Sequence, residues 1–139
     1  MTQENCTSTP KSRELLPARR QQETIHGKIG GQSFFLSFGE YADGSLGEVW
    51  LEAAKEGTFL RGIVGSLARS FSVAIQCGAD LRCMVESLKG LNFPPNGDVL
   101  GDSGAVLGRC TSVVDWVAQE IHVRYCDGQS VPTVDAGGS

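Results

Sequence analysis

A chain of 139 residues, 40% of them hydrophobic, has room for one domain and one small core, which excludes a multi-domain enzyme or a large barrel. No apolar run approaches the roughly 20 residues needed to cross a bilayer, and residues 1–14 lack the apolar stretch of a secretory signal, so the sequence predicts a cytoplasmic protein with no membrane partner. Twelve basic against sixteen acidic residues give a net charge of −4, split as +2 over residues 1–22 and −6 over the rest; an acidic body excludes a broad duplex nucleic-acid face but leaves room for a small anion held by a few local groups.

Residues 1–22 mix Thr, Ser, Pro, Gln and charge without an apolar period and are predicted to be a disordered leader. The body, 23–126, is predicted to be one α+β domain, and 127–139, ending in Ala-Gly-Gly-Ser, a flexible tail. The body begins with a strand over 24–29, a turn at Gly30-Gly31, and a strand over 33–38 with Phe34, Leu36 and Phe38 on one face and Phe35 on the other. Asp43-Gly44 suits a second turn, and 48–52 a third strand. The expected product is a three-stranded antiparallel meander with one face covered by three helices, since a lone small sheet is marginal in water.

Thr58 is expected to cap the first helix, in which Leu60, Ile63, Val64, Leu67 and Phe71 follow helical spacing up to Gly78. Gly62, Gly65 and Ala68 leave little side chain on part of it, which calls for a close second backbone or for space for a ligand, because an interior glycine costs about 1 kcal/mol relative to alanine. Asp80 caps a second helix with Leu81, Met84, Val85 and Leu88 as its core stripe, closed by Lys89-Gly90. Residues 91–104, with consecutive prolines and three glycines, read as an irregular loop of functional length, and Val106, Cys110, Val113, Val114, Val117 and Ile121 as a third helix from about 105 to 125. The five cysteines at 6, 77, 83, 110 and 126 include no Cys-x-x-Cys, and neither histidine lies near a cysteine pair, so no metal site and no dithiol centre is signalled; Cys77, Cys83 and Cys110 are expected in the core.

Several strings in this order resemble the small accessory domain near the C-terminus of adenosylcobalamin-dependent, class II ribonucleotide reductases, the TSCPD domain family. They are Gly27-Lys28-Ile29-Gly30-Gly31, the segment 41–49, Lys55-Glu56-Gly57-Thr58, Ala74-Ile75-Gln76-Cys77-Gly78, Asn92-Phe93-Pro94-Pro95-Asn96-Gly97 and Ser112-Val113-Val114-Asp115-Trp116. The enzymes resembled carry their radical chemistry and cobalamin site on a much larger barrel that this chain has no room for. The Thr-Ser-Cys-Pro-Asp string is also missing, as Thr111-Ser112 continues with Val113. The resemblance therefore implies an accessory piece, with no catalytic residue and no cofactor of its own.

Three constellations are candidates for ligand contact. Lys55, Glu56, Gly57 and Thr58, with Arg61, would present a helix start and two cations to a phosphate, or Gly57 and Thr58 simply turn and cap. In the loop, Phe93 offers a stacking ring, Asn92 and Asn96 offer amides, and Pro94 stiffens the segment, or Phe93 anchors a connector to the core. On the expected third helix, Arg109 could meet a phosphate, while Asp115 holds a ribose hydroxyl or a helix-helix hydrogen bond. The expected function is a non-catalytic, homo-oligomeric binder of a nucleotide or nucleotide-derived small molecule: a sensor, a carrier or a sponge, including a phage-encoded sponge for a bacterial immune signal. The alternative is an accessory subunit docked on a separately encoded ribonucleotide reductase catalytic chain.

Overall fold

Alternation of apolar side chains builds the first layer of the computed structural model, which describes residues 11–54 and 57–127. Strands β1 (Gln22–Ile29), β2 (Gln32–Glu40) and β3 (Leu46–Ala54) form the expected antiparallel meander. Its first turn depends on Gly30 and Gly31, both at positive φ (58° and 84°), a region that side chains on Cβ disfavour. Phe34, Leu36 and Phe38 are buried on one face of β2 and Phe35 points to the other, as a period of two requires.

The sheet has five strands. β4 (Gly97–Leu100) pairs with β1, and β5 (Val106–Cys110) pairs with β4, giving the antiparallel order β3-β2-β1-β4-β5. This corrects both the irregular loop expected over 91–104 and the helix expected from 105. Val106, Cys110 and Val113 happen to fall at helical spacing, but a tight turn separates two strands here: Gly104 has φ +86°, and the Gly101 N–H donates to the Ala105 carbonyl at 2.8 Å. Val99, fully buried opposite Ile29, makes the hairpin part of the core.

Helices α1 (Thr58–Gln76), α2 (Leu81–Leu88) and α3 (Val113–Ile121) follow, the last continued by a short π-helix, His122–Asp127. Gly57 occupies the cap position of α1 and no side chain caps it, so Thr58 is the first helical residue and not the cap. Asp80 caps α2, accepting from the Cys83 N–H, and Ser112 caps α3, accepting from the Asp115 N–H at 3.0 Å. Cys110 is buried, and desolvation followed by the nearby Asp115 carboxylate pushes its thiol pKa up; Cys77 and Cys83 are half-buried.

α1 packs along edge strand β3 and satisfies part of its outer backbone. The Ser72 hydroxyl accepts from the Val49 N–H at 2.8 Å and shares its proton between the carbonyls of Val49 (3.0 Å) and Ala68 (2.9 Å), while the Gln76 amide donates to the Gly47 carbonyl at 2.8 Å. A helix thus covers an edge that would otherwise invite pairing. Ser72→Ala strands the buried Val49 N–H, and a loss of about 1–3 kcal/mol is expected in chemical denaturation.

Residues 11–21, counted in the sequence as leader, lie against this body. The Lys11 N–H donates to the Cys77 carbonyl (3.1 Å), the Glu14 N–H to the Gln76 carbonyl (2.9 Å), and Arg20 pairs with Glu48 at 2.8 Å. The remainder of the expected leader, 1–10, and the tail from 128 lie outside the described residues. No helix among the described residues is long and apolar enough to cross a membrane.

Candidate functional site

The short link from β3 to α1 brings the start of the helix to the same end of the sheet as the Gly30-Gly31 turn, because Ala54 pairs with Ser33. β4 begins at that end too, with Val99 opposite Ile29 and Gly97 opposite Cys110. Topology thus places the described residues of all three constellations along one end of the sheet. It does not make them converge. β3 and β4 are separated by β2 and β1, three strand spacings or about 14 Å.

Of the first constellation, Lys55 and Glu56 lie outside the described residues. Gly57 and Thr58 are exposed at the start of α1, and Arg61, one turn on, pairs with Glu52 at 3.3 Å. In the second, Phe93 is 40% exposed, so it does not serve as a core anchor. The loop is instead fixed by its backbone: the Phe93 N–H donates to the Thr111 carbonyl at 3.0 Å and the Thr111 hydroxyl to the Leu91 carbonyl at 2.8 Å. Pro94 and Asn96 line a shallow cavity of about 330 Å³ with Gly30 and Gln32, whose side-chain carbonyl has no hydrogen-bond partner among the described residues; Asn92 and Phe93 are not in its lining.

The third constellation divides. Arg109 stands on β5, not on a helix, and makes an exposed pair across the ladder with Asp98 at 2.8 Å. Asp115 is on α3 and buried, where its carboxylate accepts from the Gly90 N–H (2.7 Å), the Thr111 N–H (3.0 Å) and the Gln119 amide (2.6 Å). Burial alone would raise its pKa; the hydrogen bonds from Gly90, Thr111 and Gln119 outweigh that and hold it below the usual carboxylate range. Every one of these donors belongs to the fold, so Asp115 ties α3 to the ends of α2 and β5.

One cavity was not assembled from the sequence. A groove of about 390 Å³ runs between the outer flank of α1 and β3, lined by Arg13, Trp50, Arg61, Gly62, Gly65 and Arg69 among others. Trp50 is 58% exposed in its wall. Arg13 donates to the neutral Gln76 side chain at 2.6 Å, and Arg69 has no ion-pair partner among the described residues. Arg61 and the small residues Gly62, Gly65 and Ala68 are the parts of it that the sequence points to; Arg13 sits in a segment without apolar pattern, and nothing local ties it to α1 or β3. By contrast, the wider cavity of about 770 Å³ beneath residues 11–17 carries charges that are already matched, Lys11 with Glu14 at 3.0 Å and Asp43 with Ser45. Among the described residues no group of three or more His, Cys, Asp or Glu could hold a metal ion.

Comparison with known proteins bears on this architecture. The chain is 34% identical over 125 residues to the vitamin B12-dependent ribonucleotide reductase of Agrobacterium fabrum, covering 90% of this chain and 10% of that protein. It is 34% identical over 116 residues to the enzyme of that name from Rhodopirellula baltica (84% and 11%), and 30% identical over 113 residues to that of Streptantibioticus cattleyicolor (81% and 18%). The chain therefore spans between a tenth and a fifth of the length of these relatives. No solved structure matches. The TSCPD domain matches residues 8–125, most of the chain including the whole segment 11–21 docked beside α1, and the protein belongs to the TSCPD domain family.

Proposed function

We propose that the chain is a non-catalytic accessory module of a ribonucleotide reductase, docking on a separately encoded catalytic chain. The observation that carries this is the lopsided alignment: 90% of this chain aligns with about 10% of a vitamin B12-dependent ribonucleotide reductase. Co-expression of the tagged chain with such a reductase tests it. The two should co-purify in fixed stoichiometry, and the chain alone should reduce no ribonucleotide in the presence of adenosylcobalamin. Failure to co-purify, or turnover by the isolated chain, contradicts it.

A second reading, a homo-oligomeric binder of a nucleotide or nucleotide-derived molecule acting as sensor, carrier or sponge, is favoured by one observation, the groove beside α1 with two arginines that have no carboxylate partner among the described residues. The two readings are compatible, since an accessory module can carry a ligand.

A further inference from the structure

We infer that the groove between α1 and β3 is a binding site for a phosphorylated ligand carrying a flat ring, with Arg13 and Arg69 on the phosphate and Trp50 against the ring. The inference rests on the ligand-binding reading and not on the link to a reductase; it adds the place, the residues and the ligand chemistry.

Charge is the first support. Three arginines line the groove with one glutamate: Glu48 is taken by Arg20, and Arg61 pairs with Glu52, and both Arg20 and Glu52 stand outside the lining. Among the described residues Arg13 and Arg69 have no carboxylate partner, so the groove attracts an anion, and a guanidinium fork matches phosphate in geometry as well as in sign. Shape is the second. A volume of about 390 Å³ lies within the range of small-molecule sites, and an indole ring more than half exposed in the wall is a stacking surface.

The helix sequence is the third. A Cβ built on Gly62 or Gly65 meets no atom within 4 Å, and both residues hold helical dihedrals, so neither packing nor backbone geometry within the chain demands glycine. Glycine nonetheless weakens a helix interior at both places. Of the two reasons the sequence offers for these glycines, a close second backbone or space for a ligand, no second backbone of the described residues packs on them, and both border the groove.

Calorimetric titration of the intact chain with ATP, adenosine and inorganic phosphate, repeated on Gly65→Leu and Arg69→Gln, tests the site. ATP should bind more tightly than phosphate or adenosine, because only it presents both groups. Arg69→Gln should weaken ATP about 10- to 100-fold, the range for a lost charge-assisted bond. Gly65→Leu should abolish binding while leaving the melting temperature unchanged or higher, a combination that misfolding cannot produce. ATP binding that survives Gly65→Leu overturns the groove but leaves the ligand-binding reading standing. No binding of any probe at millimolar concentration overturns both. Tight capture of a partner protein on this face, competed by none of the probes, overturns the small-molecule assignment.

Discussion

Trp116→Ala should destabilise the protein by about 3–5 kcal/mol, the largest loss expected from a single truncation, measured as a shift in urea midpoint at constant slope. The ring is 2% exposed and fills the space between α3 and β1. Gly27, on the facing strand, is the other half of this contact: a Cβ there would stand 2.7 Å from Trp116 Cζ2 and 3.0 Å from Val99 Cγ1. Gly27→Val should therefore cost about 1–3 kcal/mol by overpacking, and the loss should shrink when Trp116 is replaced by Leu in the same chain. If the two substitutions add independently, the sheet and α3 do not meet through this pair.

Asp115→Asn should be the second severe variant, at about 2–4 kcal/mol, because an amide cannot accept from three donors at once and turns its own N–H groups toward some of them. Its pH dependence identifies the cause. Since the folded carboxyl titrates below its ordinary value, its contribution is complete above about pH 5 and is lost as pH falls through the depressed folded pKa. The gap between wild type and Asp115→Asn should be widest near neutrality, begin to narrow near the ordinary carboxylate pKa of about 4, and close only as pH falls through the lower folded pKa. A gap independent of pH would mean that the carboxylate charge is not what holds the loop, and any loss of ligand affinity in a still-folded variant would return Asp115 to the binding residues.

The meander was legible because its signals are local. Phe34, Leu36 and Phe38 alternate, and Gly30-Gly31 and Asp43-Gly44 mark turns within two residues of the observed strand ends. Asp80 as the cap of α2 was legible for the same reason. β4 and β5 were not, because four- and five-residue strands give periodicity little to work on, and Val106, Cys110 and Val113 fit a helical spacing equally well. The signals that separated them were the Gly101–Gly104 turn and Ser112 followed three residues later by Asp115, a capping pattern that starts α3 at Val113. The groove was beyond reach of the sequence: Arg13, Trp50 and Arg69 are joined only by the packing of residues 11–21 and α1 around β3.

The central claim, that a chain matching a small part of a large reductase serves as a module docked on one, is most directly tested by sedimentation velocity of the purified chain mixed with an intact vitamin B12-dependent ribonucleotide reductase. The account predicts that the small species disappears into a heavier boundary at a fixed molar ratio. A chain that sediments unchanged at every ratio, with the reductase peak unaltered, contradicts it.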